Sequence, residues 1–367
     1  MRTLILTGPE NDDQRTVSRA LKLAFSARGD SCLIVGALTL LGQHAPLSQT
    51  RAMEREALPS PRAFAFLSAD NSFIRTHKRK SLFYEVNARY AEHLGTLLRE
   101  GEFDAVLCLH RYPAEAISYL RKTITFSTRC CFLSSDYACI PFLEETRLDY
   151  YFTAHASLTD AYEKRGIPAK KIVPAGVPVP ADWFSNEEKV DARALSNLPQ
   201  GTPCYLIPFA EDPQAAVTAL LARMNGDEGR ICVYAPDGAP PKSPFVARYA
   251  GDVRVMVLAP EDPLPRYIAA CDVILTLPSG AVSSLAAVSG KPLVHLPTAD
   301  LWQTQTAAFF SSREMSLFGN DYDAAASLAL SLVKDDPQIQ SMRRFQQSES
   351  IPNAAQRVVR FLHEGRL

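Results

Sequence analysis

Short apolar runs alternate along this chain with longer stretches whose apolar residues recur at helical spacing. Leu4 to Thr7 reads as a strand, Val17 to Ala27 as a helix, Cys32 to Val35 as a strand, and Ala105 to Leu109 as another strand. In the helix that ends near Glu100, the residues Val86, Tyr90, Leu94, Leu97 and Leu98 share one face, which predicts packing on a sheet. This alternation predicts a parallel sheet with helices on both faces. Ligands of such sheets lie at the loops that follow the strands.

The pattern then pauses and starts again. From Val177 to Gln200 the chain carries Pro178, Pro180, a charged run from Glu187 to Arg193, and Pro199, with no strand-like run. Beyond it, Cys204 to Ile207, Ile231 to Tyr234, Val253 to Leu258, Val273 to Leu277 and Leu293 to Leu296 read as strands, with a helix over Ala215 to Met224. The expected organisation is an α/β protein with two Rossmann-like, doubly wound domains facing a cleft. Domain one spans 1–182, a connector 183–200, and domain two 201–340. A C-terminal segment, 341–367, is helical except near Pro352 and long enough to return to the first domain.

Composition narrows the class without changing this picture. A chain of 367 residues that is 47% hydrophobic and 22% charged can bury two cores of ordinary size. Its formal net charge of -1 argues against a nucleic-acid binder, which would be basic along its length. The eight cysteines show no Cys-x-x-Cys spacing and most sit in apolar runs, so they read as small hydrophobes in a reducing compartment. The apolar run at Met1 to Gly8 is too short for a signal peptide, and no run approaches the roughly 20 apolar residues of a membrane span. The expected location is cytoplasmic, with any membrane contact peripheral.

Several segments carry a family pattern. Asp104-Ala105-Val106-Leu107-Cys108-Leu109-His110 is one, and Ser134-Ser135-Asp136-Tyr137 at the end of the strand through Phe132 is another. Asp149-Tyr150-Tyr151-Phe152 and the pair Gly166-Ile167-Pro168 and Gly176-Val177-Pro178-Val179 complete the set. In order and spacing they resemble the monogalactosyldiacylglycerol synthase and processive diacylglycerol glucosyltransferase family. These are relatives of the bacterial enzyme that adds N-acetylglucosamine to the peptidoglycan lipid precursor. The likeness runs best from about Ser72 to Val179 and more loosely over Asp252 to Phe310.

The resemblance implies a GT-B architecture, a UDP-sugar co-substrate, a lipid acceptor, and inverting transfer of a hexose with no cofactor or bound metal. A cleft base takes the acceptor's proton while amides and a helix N-terminus hold the departing diphosphate. His110, just past an apolar strand, and Asp136, in the family's Ser/Thr-Asp pair, take catalytic or acceptor-contacting places; each could instead be a strand-end hydrogen-bonding or capping residue. Gly8, Asp12 and Tyr137 fall on the acceptor loops. Pro278-Ser279-Gly280-Ala281-Val282-Ser283-Ser284 resembles the family's phosphate turn, so Ser279, Gly280, Ser283 and Ser284 are donor-binding candidates. Gln303 is a candidate for a sugar hydroxyl.

The departures fall on ligand positions. Leu285 stands where the family has a Glu that holds the ribose, and Gln14 is nearest the place of the first-loop His. The loop at Phe209 lacks the family's glycines and carries Glu211 and Asp212. These changes leave two alternatives beside the active transferase: a glycosyltransferase-like protein that binds without turnover, and an enzyme of altered nucleotide or acceptor specificity. The one dense basic cluster, from Arg75 to Lys80, runs into Phe83 and Tyr84. Lys78, Arg79, Lys80 and Phe83 suit an anionic membrane surface, or else a solvated helix start.

Overall fold

The computed structural model describes residues 1–8, 12–41, 91–140, 143–208, 213–224, 226, 229–234, 244–259 and 262–367. The chain divides into two compact units, Met1–Pro178 with Asn353–Leu367, and Val179–Pro352.

Among the described residues the first unit has six parallel strands. They are β1 (Arg2–Thr7), β2 (Ser31–Gly36), β3 (Ala105–Cys108), β4 (Arg129–Leu133), β5 (Tyr150–Thr153) and β6 (Ile172–Pro174), in the order β2-β1-β3-β4-β5-β6. Leu4, Ile5 and Leu6 are consecutive and all fully buried, so β1 is covered on both faces. Cys108, Cys130 and Cys131 are buried free thiols within β3 and β4, where burial raises their pKa values. They fill space as small hydrophobes.

Helices follow the strands as the periodicity predicts. Helix α1 (Asp12–Ser26) buries Val17, Ala20, Leu21, Ala24 and Phe25, and α2 (Ala91–Gly101) buries Ala91, Leu94 and Leu98. Helix α3 (Arg111–Thr123) links β3 to β4, and the short α4 (Thr159–Lys164) lies between β5 and β6. β6 has three residues, too few for an apolar pattern to reveal it.

The second unit repeats the plan. After α5 (Lys189–Leu195) come β7 (Cys204–Pro208), α6 (Gln214–Arg223), β8 (Arg230–Tyr234), α7 (Pro244–Tyr249), β9 (Val255–Leu258), α8 (Leu264–Ala270) and β10 (Val273–Thr276). Next are α9 (Gly280–Val288), β11 (Leu293–His295), α10 (Leu301–Ser311), β12 (Leu317–Phe318), α11 (Tyr322–Leu332) and α12 (Asp336–Glu349). The strand order is β12-β11-β10-β7-β8-β9, again all parallel.

Two segments differ from their sequence-based description. Residues 183–200, expected as a connector, include α5 within the second unit. Buried Arg193 bonds Asp272 at 2.5 Å, the Ala270 carbonyl at 3.0 Å and the Pro199 carbonyl at 3.1 Å, so the charged run is anchored rather than free. The C-terminal segment divides at Pro352. Helix α12 stays with the second unit, where Gln346 Nε2 donates to the Met315 and Lys291 carbonyls at 2.9 Å each.

The last helix, α13 (Ala354–Glu364), belongs to the first unit. Asn353 turns into it with a φ of 59°. Arg129 Nη1 donates to the Leu362 carbonyl at 2.6 Å, Arg357 Nη2 to the Pro174 carbonyl at 3.2 Å, and the Phe361 ring meets Tyr150 edge-on at 4.8 Å. Among the described residues no helix is long and apolar enough to cross a membrane.

Candidate functional site

The carboxyl edge of the first sheet gathers the residues singled out there. Because β1 and β3 pair with Leu6 opposite Cys108, the loops after them meet. A Cβ added at Gly8 would lie 2.4 Å from His110 Cγ, so only glycine fits beside the imidazole. Gln14, buried on α1, accepts the Gly8 N–H at 2.7 Å. The residue nearest the family's first-loop His therefore closes the strand-to-helix turn. Asp12 is the first residue of α1.

His110 caps α3. Its backbone is extended, with φ -141° and ψ 156°, and its Nδ1 accepts the Tyr112 N–H at 3.2 Å. The ring stands edge-on to Tyr112 with centroids 4.4 Å apart. Burial, and then the neighbouring Arg111 guanidinium, lower the imidazole pKa to about 3. The ring is therefore neutral near pH 7. With the Nδ1 lone pair engaged, hydrogen-bond geometry assigns the proton to Nε2, which can donate but not accept.

Asp136 follows the neighbouring strand. β3 and β4 pair with Cys108 opposite Phe132, which puts His110 and Asp136 on the same edge. Ser134 Oγ donates to the Asp136 carbonyl at 3.0 Å, and Ser135 Oγ donates to Asp136 Oδ2 at 3.2 Å. The first bond fixes the turn and the second reaches the carboxylate from within it. Asp136 stays partly exposed, whereas Tyr137 is buried.

In the second unit the turn after β10 behaves differently. Ser279 is the N-cap of α9, its Oγ accepting the Val282 N–H at 3.1 Å, and Gly280 opens the helix. The next two hydroxyls turn into the unit. Ser283 Oγ and His295 Nε2 are 2.9 Å apart, and Ser284 Oγ donates to the Gly280 carbonyl at 2.7 Å. Ser283, a donor-binding candidate from the sequence, thus has its hydroxyl against His295 inside the unit, where a buried imidazole needs a polar partner. Leu285 is fully buried in the same helix.

Sequence reasoning missed His295 and Ser316. His295, at the end of β11, meets Ser316 Oγ through Nδ1 at 3.2 Å, and burial lowers its pKa to about 3. The available signal was a histidine closing an apolar strand, which must find partners inside. Gln303 sits in the first turn of α10, where its Oε1 accepts from Thr298 Oγ1 at 2.5 Å and its backbone N–H donates to Asp300 Oδ1 at 2.9 Å. Its carbonyl is engaged within its own loop. Lys78, Arg79, Lys80 and Phe83, and the Phe209 loop, lie outside the described residues. Among the described residues no group of three or more His, Cys, Asp or Glu is arranged to hold a metal ion.

Two six-stranded parallel sheets with interleaved helices define a GT-B type α/β protein. Solved structures share this fold at low identity. MurG of Acinetobacter baumannii is 12% identical with a TM-score of 0.62, covering 99% of this chain and 100% of that one. UDP-GlcNAc 2-epimerase from Neisseria meningitidis, bound to UDP-GlcNAc, is 14% identical with a TM-score of 0.59, covering 99% and 100%. CalG4, the calicheamicin glycosyltransferase, is 11% identical with a TM-score of 0.60, covering 99% and 98%. Residues 20–179 match the model of the Monogalactosyldiacylglycerol (MGDG) synthase family, the family whose pattern the sequence resembles. No curated protein matches the chain.

Proposed function

We propose that the protein is a GT-B glycosyltransferase that moves a hexose from a UDP-sugar to a lipid acceptor of the diacylglycerol type, without a bound metal. The observation that carries this is the family match over residues 20–179, which spans His110 and Asp136 on one sheet edge. The shared fold alone is compatible with epimerases as well as transferases, since both occur among the similar structures.

Asp136 is the base in this scheme and His110 the hydrogen-bond donor. The acceptor hydroxyl loses its proton to Asp136 as its oxygen attacks the anomeric carbon. The bond from that carbon to the diphosphate breaks and UDP departs, with inversion. His110 Nε2–H orients the acceptor oxygen, a role that its neutral tautomer allows and a base's role does not. On the donor side, the N-terminal end of α9 at Ser279 and Gly280 faces the diphosphate, using the helix's positive end. The basic cluster at Lys78, Arg79 and Lys80 contacts an anionic membrane surface beside the acceptor lipid.

A second reading, binding without turnover, is favoured by Leu285, which is buried and offers no acceptor to a ribose. Calorimetric titration with UDP and a panel of nucleotide sugars, followed by transfer and hydrolysis assays on whichever binds, separates the two. Binding and turnover, with kcat reduced roughly 100-fold or more in Asp136→Asn, support the enzyme. Binding without turnover supports the second reading, and no binding to any nucleotide overturns both. Vesicle sedimentation that survives replacing Lys78, Arg79 and Lys80 by Ala removes the membrane contact.

A further inference from the structure

The opposite, amino edge of the first sheet holds a cavity of about 620 Å³, within the size range of small-ligand sites. Its cationic lining comes from three places: Arg121 in the last turn of α3, Arg129 at the start of β4, and Lys170 and Lys171 just before β6. One carboxylate, Asp149, lines it as well.

Asp149 is fully engaged. Arg121 reaches it with both terminal nitrogens, Nη1 at 3.2 Å, and the Cys130 N–H donates to it at 2.8 Å. Arg121 and Asp149 thus neutralise each other. The hydrogen bonds of the other cations go to carbonyls, Arg129 Nη1 to Leu362 at 2.6 Å and Lys171 Nζ to Leu148 at 2.7 Å, and Asp149 also attracts the Lys171 charge, so that four cations face one carboxylate. Exposed Lys170 has no carboxylate partner among the described residues. A carbonyl orients an ammonium or guanidinium but leaves its charge in place.

Three positive charges therefore converge on one partly enclosed space, two of them preoriented. Like charges so arranged repel one another, and a multiply charged anion relieves that repulsion. Guanidinium and ammonium groups match the tetrahedral oxygens of a phosphate, and Thr128 lines the same space. The reaction's own ligands belong at the carboxyl edge of such a sheet, so this is a separate site.

We propose that this cavity binds a phosphate-bearing anion, either a phospholipid headgroup or a free phosphorylated molecule. Its occupant also bears on the last helix, because Arg129 and Tyr150 both line the cavity and touch α13. Binding should raise the melting temperature of the first unit.

Titration of the full chain with inorganic pyrophosphate tests the site. The expected result is saturable binding that weakens with salt and falls roughly tenfold or more in a Lys170→Glu, Lys171→Glu double variant. Lys170→Ala alone, at an exposed side chain, should weaken binding roughly threefold with an unchanged melting curve. No pyrophosphate binding, or binding equal in the wild type and both variants, overturns the proposal. Sedimentation with phosphatidylglycerol vesicles that the double variant loses assigns the occupant to a lipid headgroup. Pyrophosphate binding without that sedimentation assigns it to a free phosphorylated molecule.

Discussion

His110 and His295 both follow parallel strands, in different units, and both are held neutral with pKa values lowered to about 3. Their surroundings separate them. His295 is fully buried with a serine hydroxyl at each ring nitrogen, while His110 uses only Nδ1 and makes no Nε2 hydrogen bond among the described residues. The first is an internal tie between α9, β11 and the approach to β12. The second presents a donor at the sheet edge that also carries Asp136. A perturbed pKa thus marks burial in both, and only the unengaged ring nitrogen distinguishes a residue able to meet a ligand.

The contrast extends to the turns around them, and it can be broken by substitution. The largest effect is expected at Leu285. Leu285→Glu places a charge in a filled interior and should cost about 3–5 kcal/mol in denaturant unfolding. A stable variant that gains UDP affinity would instead show that the inward-turned face of α9 can still serve a nucleotide.

On the first-unit side, Gly8→Ala pushes a methyl group against the His110 ring and should cost about 1–3 kcal/mol. An unchanged unfolding midpoint would mean the ring moves aside freely, and that His110 is not rigidly placed.

Acid sharpens the distinction further. The unfolded chain protonates His295 near the ordinary histidine value of 6.5, but the native state resists until about 3, so stability rises with pH across that window and is lost on acidification. The slope contributed is about 1.4 kcal/mol per pH unit. His295→Gln, which cannot titrate, should flatten the stability-versus-pH curve by that amount between those limits. An unaltered slope would mean that the buried histidine does not titrate as described.

The smallest expected effect is at Ser279. Removing the cap in Ser279→Ala should destabilise by about 1 kcal/mol. If nucleotide affinity also falls by more than this local loss explains, the hydroxyl touches the ligand as well.

Much of the fold was legible because buried parallel strands leave continuous apolar runs. Val106, Leu107 and Cys108, or Val273, Ile274 and Leu275, announce themselves. Strands of two or three residues, such as β6 and β12, leave no run to detect. Among site residues, the positions of His110, Asp136 and Ser279 at strand ends or a helix cap could be read directly. The inward turn of Ser283 could not, since its partner His295 lies on another strand and nothing local links them.

The sequence by itself determined the alternating α/β plan and which loops carry chemistry-bearing residues, because burial on both faces of a sheet imposes apolar periodicity locally. Only the tertiary structure decided what those residues do. It paired Gln14 with the Gly8 amide, committed the His110 Nδ1 lone pair, drew Ser283 inward, and gathered Arg121, Arg129, Lys170 and Lys171 around one cavity. Hydrogen bonds and charge clusters of this kind join residues far apart in the chain, and their partners exist only once the strands are in register.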